Sequence, residues 1–175
     1  MPNWCAGNIR FRGKLNDILN LLKEKMLYCR YSGTTEKKPA IVTYDDFSIE
    51  IKSPYEDADR SWCYIDGTHR NFLNIFGGPV IISECICFET EKRDANDNAI
   101  VVFDNFQAAW SIEPAPYVEM SKKYNVDICI MGWERGMGFS QCIIVEDGII
   151  IEDSCSEHKS YYDWMWKTAM PYLGG

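Results

Sequence analysis

Residues 8–26, NIRFRGKLNDILNLLKEKM, change their hydrophobic period once, and this change underlies the fold prediction. Ile9 and Phe11 alternate with polar residues, which is the period of a half-buried strand. Beyond Gly13 the period becomes helical, with apolar side chains at Leu15, Ile18, Leu19, Leu22 and Met26. The sequence therefore predicts a strand followed by an amphipathic helix over residues 15–26, which is the first half of a βαβ unit.

The second half of the chain repeats the strand and helix signals. Two β-rich runs, residues 80–90 and 98–110, flank a polar link and predict a hairpin. The next segment predicts a helix that begins near Pro114 and Pro116, because the first turn of a helix tolerates proline. Asn125 is expected to end this helix in the left-handed conformation. Its buried face is expected to comprise Tyr117, Met120, Ser121 and Tyr124.

Residues 28–80 do not continue the βαβ pattern. They contain a polar loop, a short hairpin around Asp45 and Asp46, and a segment that Thr68 could cap as a short helix. We therefore predict that this stretch is an inserted hairpin-and-helix lobe after the first helix.

The C-terminal third predicts another hairpin and one more helix. Asp147-Gly148 separates two apolar runs and is the strongest short-range hairpin signal in the chain. Residues 159–170 carry several aromatic side chains and predict a terminal helix that packs on the sheet. Together the elements predict one α+β domain over residues 1–175: a ferredoxin-like βαββαβ antiparallel sheet with a C-terminal hairpin extension.

Chain length and charge limit the classes of function that the protein can have. A chain of 175 residues can bury one good core, and its net charge is −8 at neutral pH. Residues 1–38 hold eight Lys or Arg and three Asp or Glu, whereas residues 39–175 hold ten and twenty-three. Because phosphate-driven binding requires basic groups, this balance disfavours general nucleic-acid binding and suits another protein with a basic surface as the partner.

The eight cysteines predict reduced thiols and not a disulfide framework, because no secretory signal pattern precedes them. No run approaches the roughly 18 apolar residues of a membrane helix. We therefore expect a cytoplasmic protein without a membrane partner. We also expect no cofactor and no metal, since the sequence has no Cys-x-x-Cys pair.

Cys63 and His69 are weak candidates for a catalytic pair. With Asp66 they place a thiol, an imidazole and a carboxylate within seven residues, a set that could serve a thiol-dependent hydrolase. The alternative interpretation is a turn at Asp66-Gly67 followed by the Thr68 cap. Because Cys–His pairs are usually assembled from distant parts of a fold, we favour the turn.

The N-terminal strand offers a candidate binding face. By alternation, Trp4, Arg10 and Arg12 are expected on the face opposite the helices, with Cys5 on the covered face. Aromatic and cationic groups on an open sheet are typical of single-stranded nucleic-acid binding. In the alternative interpretation, which the acidic remainder of the chain favours, another element covers this face and the arginines form ion pairs.

Trp133, Glu134 and Arg135 form a second candidate binding group. They stand at the end of a strand, directly before Gly136 and Gly138. These glycines predict a turn or bulge and not a phosphate-binding loop, because a strand and not a helix follows them. Large side chains held at a strand end could contact a partner.

Three segments carry a resemblance to a known family: MPNWCAGNIRFRG, FQAAWSIEPAPYVEMSKKYNVDI and GWERGMGFSQCIIVEDGIIIEDS. The matching residues are Asn3, Trp4, Cys5, Asn8, Phe106, Ala109, Trp110, Ser111, Pro114, Pro116, Ser121, Lys122, Tyr124, Glu134, Gly136 and Phe139. In these features the chain resembles the YubB type of ferredoxin-like protein, small proteins of plasmids, phages and integrated elements. The resemblance implies the fold and a bacterial or infected host cell, and it implies no catalytic residues.

These observations predict a small accessory protein of a phage, plasmid or integrated element that acts as a non-enzymatic protein-binding module. Inhibition of a host defence or of another host protein is one form that this role could take. Two alternatives stay open: a single-stranded nucleic-acid binder that uses the open sheet face, and a thiol-dependent hydrolase around Cys63 and His69.

Overall fold

A computed structural model describes residues 3–30, 36–45, 48–56, 61–73, 80–83 and 98–157. Within these ranges the chain forms twelve strands and two helices. In chain order they are β1 (Trp4–Lys14), α1 (Leu15–Lys25), β2 (Met26–Cys29), β3 (Lys37–Pro39), β4 (Ile41–Tyr44), β5 (Ser48–Lys52), β6 (Trp62–Ile65), β7 (Asn71–Leu73), β8 (Val80–Ser83), β9 (Asn98–Ala109), α2 (Ala115–Tyr124), β10 (Asp127–Glu134), β11 (Phe139–Glu146) and β12 (Ile149–Glu157).

Nine of these strands lie side by side in one antiparallel path, in the order β12-β11-β10-β1-β9-β7-β6-β2-β3. β1 lies inside the sheet and is antiparallel to both of its neighbours. Its Cys5 faces Ala108 of β9 on one side and Glu134 of β10 on the other. The two neighbours are joined through α2, so the chain crosses over β1 between them.

The sheet divides at β9. One edge of β9 pairs with β1, while the other edge pairs with β7 at residues 106–108 and with β8 at residues 100–101. β8 continues into β5 and β4. Ile49 and Ile51 of β5 join the same hydrophobic core as the buried side chains of α1. The branch therefore closes over the helix side of the main sheet.

The predicted ferredoxin-like βαββαβ fold is wrong, because the protein is mostly β and its sheet is far larger than four strands. β6 and β7 come from the stretch predicted to be an insertion, yet they lie in the main sheet between β9 and β2. The short helix predicted after Thr68 is also wrong, since Asn71–Leu73 is a strand that pairs with residues 106–108. Strands of three or four residues carry too little periodicity to be recognised from sequence.

Both helices of the described region follow their predictions. α1 spans Leu15–Lys25 and buries an apolar stripe against the sheet. α2 ends at Asn125, which adopts the left-handed conformation with φ 54° and ψ 48°, and the residues that α2 buries are Tyr117, Met120, Ser121 and Tyr124. The hairpin at Asp147-Gly148 is also confirmed: both residues have positive φ, 49° and 69°, as a tight two-residue turn requires.

The hydrophobic core lies on the face of the sheet that carries the helices. Its fully buried members include Ile9 and Phe11 of β1, as their alternation predicted, and Cys5 is buried with them. Within the described residues, no helix is long and apolar enough to cross a membrane. The predicted loop after residue 90 and the predicted helix over residues 159–170 lie outside the described residues.

Candidate functional site

The main sheet has one face that carries the helices and one that does not. α1 and α2 pack on the same face, where Lys123 of α2 reaches Glu24 of α1 at 2.6 Å. The side chains of β1 that point away from the helices, Trp4, Arg10 and Arg12, are half-buried or exposed. We call this second side of the sheet the open face, because no helix of the described region lies on it.

Four aromatic side chains cluster on the open face, which we call the aromatic platform: Trp4 of β1, Trp62 and Tyr64 of β6, and Phe72 of β7. Phe72 is the central ring and is only 6% exposed. The centroid of its ring lies 5.9 Å from that of Trp4, 5.9 Å from that of Trp62 and 5.7 Å from that of Tyr64. All three contacts are edge-to-face, at interplanar angles of 61° to 75°.

The strand order produces this cluster. Tyr64 faces Phe72 across the β6–β7 pair, and Phe72 faces Gln107 of β9. Trp4 of β1 faces Ala109 of β9, across the edge of β9 that does not pair with β7. Residues from three separate parts of the chain therefore project from neighbouring positions of one face.

Two cations flank the platform. The Lys37 ammonium lies 3.8 Å from the centroid of the Tyr64 ring, and the guanidinium carbon of Arg70 lies 5.9 Å from that of Trp4. Both side chains are exposed, and Trp62 is 39% exposed. Lys37 also lies 3.9 Å from a carboxylate oxygen of Asp66. The platform thus combines accessible ring surface with positive charge at two of its borders.

Charge is distributed unevenly across the sheet. The hairpin of β11 and β12, residues 139–157, contains five Asp or Glu and no Lys or Arg. Near the opposite edge, Arg30 and Lys38 lie 5.0 and 4.8 Å from the centroid of the Tyr55 ring. The basic groups therefore gather towards β2, β3 and the platform, and the acidic groups gather towards β12.

The two predicted arginines of the open face differ in their surroundings. Arg12 donates from Nε and Nη2 to Asp127 at 2.9 and 2.7 Å, and from Nη2 to Glu146 at 2.7 Å. These hydrogen bonds raise the pKa of the Arg12 guanidinium above its ordinary value. Arg12 is thus the ion-pair partner that the alternative interpretation expected. Arg10 is exposed and faces Cys129 of β10 and Val102 of β9.

Trp133 and Glu134 do not form an exposed group with Arg135. Glu134 faces Cys5 on the helix side of the sheet, whereas Trp133 faces Ala6 on the open face. Both are buried, and the Glu134 carboxylate accepts hydrogen bonds from the backbone N–H groups of Gly136, at 2.9 Å, and Met137. The carboxylate thereby organises the turn between β10 and β11, which the glycines predicted. Arg135 is exposed on that turn.

Cys63 and His69 do not form an activated thiol. Cys63 is buried on the helix side of β6, and this burial raises the pKa of its thiol to about 12. A thiol with that pKa is protonated at neutral pH and is a poor nucleophile. His69 is exposed in the turn that follows β6. Thr68 closes this turn by donating from Oγ1 to the carbonyl of Ile65 at 2.6 Å. The predicted turn at Asp66-Gly67 is therefore confirmed, whereas the predicted helix cap at Thr68 is wrong, because the strand Asn71–Leu73 follows.

Sequence reasoning found Trp4 but missed its three aromatic neighbours and both cations. The signal for two of them was present: Trp62 and Tyr64 stand two positions apart in WCYI, the spacing that places side chains on one face of a strand. It was missed because the stretch was interpreted as a separate lobe.

No group of three or more His, Cys, Asp or Glu side chains that could hold a metal ion occurs among the described residues. A depression of about 170 Å³ between β4 and β5, lined by Tyr44, Ser48 and Glu50 among others, is smaller than a typical ligand pocket. Comparison of the chain with protein-family models, with curated proteins and with solved structures finds no match. The resemblance to the YubB type therefore stays a prediction.

Proposed function

We propose that the protein is a non-enzymatic binding module whose open face holds single-stranded nucleic acid. The aromatic platform carries the proposal, because it combines partly exposed Trp4, Trp62 and Tyr64 with flanking Lys37 and Arg70. Bases of an unpaired strand stack on such rings, and the cations neutralise its phosphates. As the resemblance to the YubB type implies, we expect the gene for this protein to be carried by a phage, plasmid or integrated element.

The net charge of −8 does not exclude the proposal, because many of the acidic groups lie away from the platform. β12, which carries Glu152, Asp153 and Glu157, is separated from β1 by β11 and β10, and Glu146 is paired with Arg12 near the end of β1 opposite Trp4. Surface charges separated by more than about 10 Å are largely screened at 0.1 M salt. With two cations at the site, binding should depend only weakly on salt, with a slope of about −1.4 in log K against log salt for a single strand.

Fluorescence anisotropy of a labelled oligonucleotide of about ten nucleotides tests the proposal, with the single strand and the duplex of the same sequence compared. We expect the single strand to bind more tightly, because a duplex hides the faces of its bases. Lys37→Gln and Arg70→Gln should each weaken binding and flatten the salt slope. Lys52→Gln, which removes an exposed lysine of β5, is the matched control. Equal affinity for duplex and single strand, or no binding at low salt, would refute the proposal.

Protein binding, the role predicted first from the sequence, would use a different part of the sheet. Its supporting observation is the acidic edge formed by β12. The buried thiol of Cys63 does not support the hydrolase alternative, and we do not propose it.

A further inference from the structure

β12 is the last strand of the sheet path in the described region, and it pairs with β11 alone. An edge strand presents backbone N–H and C=O groups that have no neighbour in the sheet, and these can pair with another chain. β12 has nine residues and all of them are exposed. It is therefore long enough to accept a complete additional strand.

The side chains of β12 protect this edge only in part. The strand contains no lysine and no proline, and its charged residues begin only at Glu152. Its first three residues, Ile149, Ile150 and Ile151, are 62%, 44% and 59% exposed. Isoleucine is a strong strand former, and three adjacent exposed isoleucines are unusual on a surface that contacts only water. This half of β12 thus offers apolar area to a partner.

The other half of β12 selects the kind of partner. Glu152, Asp153 and Glu157 are exposed, and the whole β11–β12 hairpin lacks a basic residue. Glu152 and Asp153 stand at the centre of the strand, so antiparallel pairing of two copies would place these carboxylates opposite or beside each other. Like charges in directly opposed positions destabilise a sheet. The charge therefore disfavours a second copy and complements a basic strand.

We infer that β12 docks an extended basic segment of another protein, which adds to the sheet as an antiparallel strand. Main-chain hydrogen bonds hold the segment. Because Glu152 and Asp153 are adjacent in the strand, they point to opposite faces of the sheet, so the segment carries lysines or arginines on both of its faces there. Further along the segment, β-branched side chains lie beside the isoleucines. This site is separate from the aromatic platform and does not rest on nucleic-acid binding. Strand docking on β12 and nucleic-acid binding on the platform can therefore be confirmed or refuted independently.

Hydrogen exchange of the full chain, read by mass spectrometry, tests this inference with synthetic probes. The Lys–Val peptide is as long as β12 and has lysine at its first six positions and valine at its last three. Antiparallel pairing then places the lysines beside residues 152–157 and the valines beside Ile149, Ile150 and Ile151. This peptide should slow amide exchange in residues 149–157 by about tenfold or more at saturation, since pairing protects amides. The Glu–Val peptide, which has glutamate in place of each lysine, should leave the exchange unchanged. Equal protection by both peptides would overturn the charge selectivity, and no protection by either would overturn the site.

A charge reversal provides the second arm. Glu152→Lys combined with Asp153→Lys should weaken the Lys–Val peptide about tenfold or more and create binding of the Glu–Val peptide. Glu113→Lys combined with Glu119→Lys, both exposed and outside β12, changes the net charge equally and should leave both affinities as they were. Sedimentation of the unmodified chain should show no association through β12. If the unmodified chain forms a dimer, and the Glu152→Lys and Asp153→Lys reversal disrupts it, then β12 binds a second copy of the chain and not a basic segment of another protein. That result would overturn the inference.

Discussion

Removal of the Trp62 ring is the most direct test of the aromatic platform. Trp62 is 39% exposed and contacts Phe72 edge-to-face at a centroid distance of 5.9 Å. Loss of base stacking costs about 1 to 3 kcal/mol per base, so Trp62→Ala should raise the Kd for a single strand about 5- to 150-fold. Loss of the contact with Phe72 should lower the unfolding free energy by only about 0.5 to 1.5 kcal/mol plus the lost burial.

Trp62 separates binding from stability better than Phe72 does. Phe72 is almost fully buried, and Phe72→Ala should cost about 3 to 5 kcal/mol of stability, which would obscure any effect on binding. The assay is anisotropy titration well below the thermal midpoint of each variant, with Trp62→Phe expected to retain intermediate affinity. Tyr44→Ala removes a ring of similar exposure from β4 and serves as the control. An unchanged Kd for folded Trp62→Ala would refute the platform as a stacking surface.

Three further predictions concern stability and reactivity. Asn71 donates a buried hydrogen bond from Nδ2 to the Tyr117 hydroxyl at 2.6 Å. Tyr117→Phe should therefore lower the unfolding free energy, measured by urea titration, by about 1 to 3 kcal/mol. An unchanged urea midpoint would contradict this prediction. Hydrogen bonds from Lys123 and Tyr124 lower the pKa of Glu24 below its ordinary value. The stability that Glu24→Gln loses at neutral pH should therefore vanish as the pH falls through that lowered pKa, and a difference that persists at lower pH would count against the bond. Burial raises the pKa of the Cys5 and Cys63 thiols to about 12, whereas Cys155 is exposed. When the chain is alkylated at pH 8, peptide mapping should therefore find Cys155 labelled well before Cys5 and Cys63.

The local parts of the fold could be predicted from sequence, because their signals are local. The period of α1, the left-handed end of α2 at Asn125 and the Asp147-Gly148 turn each depend on residues that are close in the chain. The alternation of β1 likewise placed Ile9 and Phe11 on the covered face. In these elements, backbone propensity and side-chain burial favour the same structure.

The sheet order could not be predicted, because it depends on distant pairings. β7 has three residues, and it is a strand because residues 106–108 of β9 provide its partners. β6 then pairs with β7 and extends the sheet to β2. Nothing within residues 62–73 distinguishes this arrangement from a surface lobe. Tertiary context decides short strands, and a single sequence does not contain that context in readable form.

The same limit applies to the candidate site. Trp4 was identified by its parity on β1, but its contact with Phe72 joins residues far apart in the chain through β9, which lies between their strands. The inward orientation of Glu134 was equally hidden, because it depends on the hydrogen bonds of the following turn. The sequence indicated a residue on the right face, and only the strand order supplied its neighbours.

The position of β1 has a consequence for synthesis of the protein on the ribosome. β1 is made first among the strands described, yet both of its partners come much later: Trp4 pairs with Ala109, and Arg12 pairs with Asp127. Translation proceeds at about 5 to 20 residues per second, so β9 and β10 are synthesised roughly 5 to 25 s after β1 and α1. During that interval the emerging chain exposes Cys5, Ile9 and Phe11, which are fully buried in the finished sheet. Nascent chains that stall before residue 98 should therefore depend on chaperones far more than the completed protein does.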